Sequence, residues 1–285
     1  MNEKALHTLE FYKILELLEE EAVSAPGKRK CRALRPSDDL SLIRSLQEET
    51  SASVSRLLKK GKPSFGGAAD LGDSFMRLAV GSSLNAAELL RIASLLENAE
   101  RVRSYGRRDK EESPGDALDP LFSALEPLPA LSREIRRCLP SETDVADDAS
   151  TNLRRIRRAL SQSSDRIHAQ LNAVLNGPAR SALQDNVITM RNGRYCIPVR
   201  SDSRAAVPGM IHDQSSTGAT LFIEPMSVVR LNNEIRELQL QEKAEIEAIL
   251  ASLSTEAAGS LALLRSDFEI LISLDFIFAR GRLAL

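Results

Sequence analysis

The chain has 285 residues and a net charge of −2, long enough for two domains or one extended multi-part unit with a real core. Aromatic residues are 4%, tryptophan is absent, and Leu, Ala, Glu and Arg abound, so the composition predicts a mainly α protein. No run of about 18 apolar residues exists to span a membrane, the acidic start MNEKALHTLEFYKILELLEEE lacks the order of a secretory signal, and Cys31, Cys138 and Cys196 show no close pair of the kind that zinc or redox centres use, so a soluble, cytoplasmic protein with free thiols is expected.

In chain order, apolar positions recur at helical spacing from Leu6 to Glu20, and Pro26-Gly27 interrupts them. Ser37 offers an N-cap, Asp38 and Asp39 suit the positive end of a helix dipole, and Leu40, Ile43, Gln47, Thr50, Val54, Leu57 and Leu58 continue a stripe that stops at Gly61. A loop over Gly61–Gly67 precedes a short helical segment near Asp70 to Val80. Asn85 with Glu88 three residues later makes a capping-box pattern opening a helix that stops at Gly106. The stretch from Gly106 to Pro120, GRRDKEESPGDALDP, reads as a charged surface loop and the best candidate for mobility. Eight of the twelve prolines lie between Pro26 and Pro140, so this first part is expected to consist of compact helices and turns.

Ser150 can cap a helix through Leu153, Ile156, Leu160, Ile167, Leu171 and Val174 that ends at Asn176-Gly177-Pro178, about 38 Å at 1.5 Å per residue. The residues from Val187 to Pro225 read instead as strands and turns. Val187–Met190 and Arg194–Val199 flank Asn192-Gly193, a strong short hairpin signal because both residues tolerate positive φ. Met210–His212 and Ala219–Ile223 flank the polar turn Asp213–Gly218 as a second hairpin, with Pro198 and Pro225 expected at strand ends or edges. From Met226 to about Ala258, Val228, Leu231, Ile235, Leu238, Ile246, Ile249 and Leu253 follow a repeat near 3.5 residues, which Glu242 interrupts. Two long helices bracketing a β segment imply an antiparallel arm with that segment at its far end. The apolar stretch Leu261–Leu285, with Phe268, Leu271, Leu274, Phe276 and Phe278, is expected to return into the first domain.

The near-neutral total hides a basic middle, since ten Arg or Lys face three Asp or Glu between Ser150 and Gly209. Arg191, Arg194, Arg200 and Arg204 are candidate nucleic-acid ligands, because guanidinium forks bind phosphate oxygens and release counterions; a solvated hairpin face is the alternative. Arg154, Arg155, Arg157 and Arg158 wrap more than one helical face, which suits solvation or pairing with acids on the return helix. Asp144, Asp147 and Asp148 lack a nearby His for a metal and sit before a helix start, where a carboxylate favours the dipole. His212-Asp213 lies close to Ser215, Ser216 and Thr217, but nothing there positions a nucleophile.

The runs NGRYCIPV, VPGMIHDQSSTGATLFIEP and LNNEIREL, with DFIFARGRLAL near the end, resemble the arm and clamp region of the MutS family, in particular the MutS-two branch that lacks mismatch-reading amino-terminal domains. The resemblance runs from LEFYKILELL onward. It implies a helical core domain beginning at 1–140, lever helices over 141–258 with a β clamp segment at 187–225, and a return helix at 259–285. Members of that family are homodimeric ATPases that embrace nucleic acid, and this branch is associated with suppression of homologous recombination, branched-DNA binding and splitting of collided ribosomes. The partners it implies are DNA, duplex or branched, or the ribosome, and no membrane. A P-loop needs two glycines five apart followed by Lys and Ser or Thr. This chain has none, and Gly27-Lys28 is followed by Arg29. ATP and magnesium are therefore expected only in an ATPase domain after Leu285, with a Smr domain beyond, and this chain is expected to carry no catalytic residue, cofactor or metal. Phe222-Ile223-Glu224 matches the Phe-x-Glu wedge of mismatch-reading members only superficially. A lever that transmits motion without touching nucleic acid is the second reading.

Overall fold

A computed structural model describes residues 3–66, 70–107 and 115–285. The protein is mainly α with one small antiparallel sheet, as the composition predicts. It divides into two compact units, one formed by Met1–Ala146 with Leu250–Leu285 and the other by Asp147–Ile249.

The first unit opens with α1 (Glu3–Thr8), α2 (Phe11–Glu21) and α3 (Ala25–Arg32). The single stripe expected from Leu6 breaks at Glu10, whose φ is 52°. Pro26-Gly27, expected to interrupt a helix, instead starts one. Proline in a first turn forfeits no helical hydrogen bond, and the Ser24 hydroxyl caps α3 by accepting from the Gly27 N–H at 3.0 Å. No larger residue fits at Gly27, because a Cβ there would lie 2.3 Å from Oδ2 of Asp275. In α4 (Leu40–Lys60) the cap is Asp39 and not Ser37: Asp39 accepts from the N–H groups of Ser41 and Leu42, while the Ser37 hydroxyl accepts from the Asp39 N–H. Gly61, with φ 76°, ends that helix as expected. After α5 (Gly72–Ala79), α6 (Ala86–Gly106) begins with the expected capping box, Glu88 N–H to Asn85 and Asn85 N–H to Glu88, each at 2.9 Å. It is the buried centre of the unit, with Leu89, Ile92, Leu95 and Ala99 fully covered. Of the charged stretch over 106–120, residues 108–114 lie outside the described residues, as do residues 67–69 of the preceding loop. Then follow α7 (Asp119–Ser123) and α8 (Pro129–Cys138).

The second unit starts with α9 (Thr151–Leu175), capped by the Ser150 hydroxyl accepting from the Leu153 N–H at 2.9 Å and ending at Asn176. A short 3₁₀ turn, Pro178–Ala182, leads to β1 (Thr189–Arg191) and β2 (Arg194–Arg200); a second 3₁₀ segment, Ser201–Ala206, leads to β3 (Gly209–Gln214) and β4 (Thr220–Pro225). The sheet order is β1-β2-β4-β3, each neighbour antiparallel. Asn192 (φ 51°) and Gly193 (φ 74°) form the first turn, the geometry a two-residue hairpin needs to match strand twist. Pro198 departs from expectation by sitting inside β2, which has a neighbour on each side. The reason is that β1 pairs only as far as Cys196; beyond it that side of β2 meets the Leu183–Gln184 segment, whose Gln184 N–H donates to the Pro198 carbonyl at 3.0 Å, so the contact uses the proline's carbonyl and not the N–H it lacks.

In α10 (Val229–Gly259), residues from Leu250 onward belong to the first unit. Within the second unit it runs antiparallel to α9: Arg157 Nε meets Glu242 at 2.7 Å, and the Ser163 hydroxyl donates to Glu234 at 2.8 Å. Glu242 thus interrupts the apolar seam to meet an arginine on α9. Ile167, Leu171 and Leu175 of α9 pack with Ile197, Val199, Leu221 and Ile223 of the sheet and Val228, Leu231 and Ile235 at the start of α10. Finally α11 (Leu261–Leu283) lies within the first unit, its Phe278 fully buried against the rings of Phe65, Tyr105 and Phe122. Its Asp275 accepts from the Val23 and Ser24 N–H groups and the Ser24 hydroxyl, tying α11 to the start of α3.

Candidate nucleic-acid interface

The four arginines singled out in the sequence fall at two ends of one strand. Arg191 and Arg194 are cross-strand partners beside the Asn192-Gly193 turn. Arg200 closes β2 six residues later, about 20 Å away at the usual rise, and Arg204 follows in the 3₁₀ segment. The hairpin brings the first two together, and the length of β2 separates them from the second two.

Their environments differ. Arg204 is exposed and has no ion pair among the described residues. Arg200 is 49% exposed, with Asp202 at 3.7 Å and the Ser203 hydroxyl at 3.3 Å, contacts too weak to hold it from a phosphate. Arg191 lies with its guanidinium carbon 4.0 Å from the centre of the Phe222 ring, pairs with Asp213 at 3.2 Å and donates to the Met190 carbonyl. Stacking and pairing hold that fork flat while leaving an edge open to solvent. Arg194 is engaged inside the unit.

Its partner is Glu224, a fully buried carboxylate on β4. Oε1 of Glu224 accepts from Arg194 at 2.5 Å and from the Asn232 amide at 2.8 Å; Oε2 lies 2.5 Å from Nε2 of His212. Asn232, also buried, accepts from the Tyr195 N–H and donates to the Tyr195 carbonyl, and Arg194 reaches Asn233 with its other nitrogen. Charge pairing and complete hydrogen bonding are what make a buried carboxylate tolerable. Cys196 is buried beside it; burial first, then the charge of Glu224, pushes the thiol up to about 11.

A β-bulge aims His212. Ile211 pairs with Ile223 and Asp213 with Phe222, so His212 is the extra residue between them, and the bulge turns its ring toward Glu224. The same bulge frees the His212 carbonyl, which accepts from the Asn192 side chain at 3.1 Å. His212 thus serves a structural carboxylate, and Ser215 and Thr217 bond each other. The buried, saturated state of Glu224 likewise leaves no Phe-x-Glu wedge to insert beside a base. Among the acids before α9, Asp147 pairs with Arg157 and Asp144 accepts from the Ser141 hydroxyl. Among the described residues no three His, Cys, Asp or Glu side chains converge as a metal site, and no described helix is long and apolar enough to cross a membrane.

No protein-family profile matches the chain. Its sequence is 50% identical over 285 residues to the Endonuclease MutS2 of Agathobacter rectalis. The corresponding figures are 48% over 285 residues for the Endonuclease MutS2 of Lachnospira eligens and 47% over 290 residues for that of Lachnoclostridium phytofermentans. Each alignment covers 100% of this chain. Along its whole length the chain is similar to MutS2 proteins. It spans 36% of the length of these curated relatives.

Of the four runs that carry the MutS2 resemblance, three meet at Glu224. NGRYCIPV supplies Arg194 and Tyr195, VPGMIHDQSSTGATLFIEP supplies His212 and Glu224 itself, and LNNEIREL supplies Asn232 and Asn233. A signal for this was present: a lone Glu in an apolar strand, and an Asn pair at the apolar seam of a helix, both ask for buried partners. Sequence spacing alone could not say which partners.

Proposed function

We propose that this chain is a nucleic-acid-gripping part of a MutS2 protein and that its second unit makes the contact. The observation that carries this reading is the pair Arg200 and Arg204, exposed at the end of a buried strand with only weak competing contacts. Arg191, stacked on Phe222, is a third contact with a fixed plane. Arg194 acts as a positioning residue, because its fork is already engaged by Glu224. In this reading the whole MutS2 protein is a nucleotide-driven homodimer acting in recombination suppression or on stalled ribosomes. Cutting, which the relatives' name assigns to them, belongs to parts this chain does not span.

Binding of a labelled duplex, titrated with salt, tests the reading. Contacts by Arg191, Arg200 and Arg204 predict a log-log slope of about −2.7, whereas four contacts including Arg194 predict about −3.6. Arg200→Glu with Arg204→Glu is expected to abolish salt-dependent binding. Affinity that survives that change, or that ignores salt, supports the second reading, a structural lever; the internal engagement of Arg194 is what favours that alternative. Nicking of supercoiled plasmid by the purified chain would overturn the non-catalytic assignment.

A further inference from the structure

The second unit carries an apolar groove that none of the hairpin arginines fills. It lies where the end of α9, the two 3₁₀ segments and the turn from β4 into α10 meet. It has two lobes of about 410 and 260 Å³ that share Val174, Ala179 and Ser227. Proline rings line both: Pro178 in the larger, Pro208 and Pro225 in the smaller. Flat apolar walls at this size suit a planar, weakly polar group, and unpaired bases are commonly seated between apolar side chains.

The rim has the complementary charge. Arg180 follows Ala179 directly, and Arg204 precedes Ala206, another wall residue, by two positions. Both are exposed, and neither has an ion pair among the described residues. Arg166, also exposed and without an ion pair among the described residues, lies on α9 seven residues before the wall residue Ala173. Seven residues are two turns, so the two share a face about 10.5 Å apart, and a backbone leaving the groove along α9 meets that guanidinium. A base-sized apolar slot with cations on two sides is the chemistry of single-strand binding, in which bases are held by apolar contact and phosphates by charge. We propose that this groove seats an unpaired base of a single-stranded nucleic acid whose phosphates run past Arg166, Arg180 and Arg204. The proposal rests on the nucleic-acid reading above and adds to it a second, distinct contact for strands that have lost their partner.

The test uses the full 285-residue chain and fluorescence anisotropy with labelled oligodeoxythymidine and oligouridine, beside the labelled duplex. Ala173→Glu puts a charge at an exposed position of the groove wall, and circular dichroism checks the fold; Ser227→Glu does the same from the opposite side. Each is expected to weaken binding of at least one oligonucleotide about tenfold, at the low end of what losing one seated base costs, with duplex binding unchanged. Arg166→Glu with Arg180→Glu is expected to flatten the single-strand salt slope by about 1.4. Failure of both oligonucleotides to bind, or binding that ignores both groove variants, overturns the proposal. Because Arg191→Glu with Arg200→Glu acts on the duplex alone, loss of the duplex reading and loss of the groove give different patterns.

Discussion

Arg194 shows how one side chain changes meaning between sequence and structure. In the sequence it is one of four basic residues around a turn; in the fold it neutralises a buried carboxylate, with 25% of its side chain exposed against 0% for Glu224. Removing Arg194 takes a counter-charge from a buried carboxylate, and removing Glu224 leaves a partly buried guanidinium without its ion pair. Arg194→Ala and Glu224→Ala are each expected to cost about 3 kcal/mol, and the double variant clearly less than the sum, measured by urea unfolding. Additive losses would show that the pair is not coupled. Asp267 on α11 gives a prediction in pH. One of its oxygens accepts from the Glu126 N–H at 2.8 Å, the other has no partner among the described residues, and burial, foremost, raises its pKa above the ordinary 3.8. The folded state therefore holds that proton more tightly than the unfolded one. The stability this contributes is complete below the ordinary value and is lost as pH rises from there through the folded pKa. Asp267→Asn is expected to gain stability relative to the parent chain as pH rises from 4 toward neutrality, read from urea midpoints at the two ends; parallel midpoints would refute it.

At the scale of elements, local chemistry was legible where the deciding groups lie within a turn of each other. The Asn85–Glu88 box, the Ser150 cap and the Asn192-Gly193 hairpin all involve partners no more than three residues apart, and each formed as the sequence predicts. Pro26 and Pro198 were misread because their effects depend on context. A proline breaks a helix or allows its first turn according to where the cap sits, and Ser24 caps here. A proline is barred from a strand with two neighbours unless one of them stops short, as β1 does. The hairpin turn carries a test of its own. Gly193→Ala places a Cβ at φ 74°, and is expected to cost about 1 kcal/mol in urea unfolding. An unchanged midpoint would mean that the turn does not hold its left-handed geometry in solution.

Across the whole molecule, each unit has its own buried core, and the site is built inside the second. In the first, Ile92 is fully covered on α6, so Ile92→Ala is expected to cost about 3 kcal/mol through lost burial and a residual cavity, again by urea unfolding. A loss under 1 kcal/mol would place Ile92 outside the cooperative core. The sequence by itself determined the helical class, most helix and hairpin boundaries, the basic middle and the likeness to MutS2 proteins, because composition, periodicity and capping act through neighbours along the chain. Only the tertiary structure decided which of the four arginines is taken up inside the fold. Arg194 and Glu224 are 30 residues apart and Asn232 is 8 beyond Glu224. Such partners are chosen by sheet register, by the bulge at His212 and by the packing of α10, and a buried charge must take whichever counter-charge that packing brings within reach. The four basic residues read around the first hairpin are therefore three exposed or stacked arginines and one ion pair on which the sheet depends.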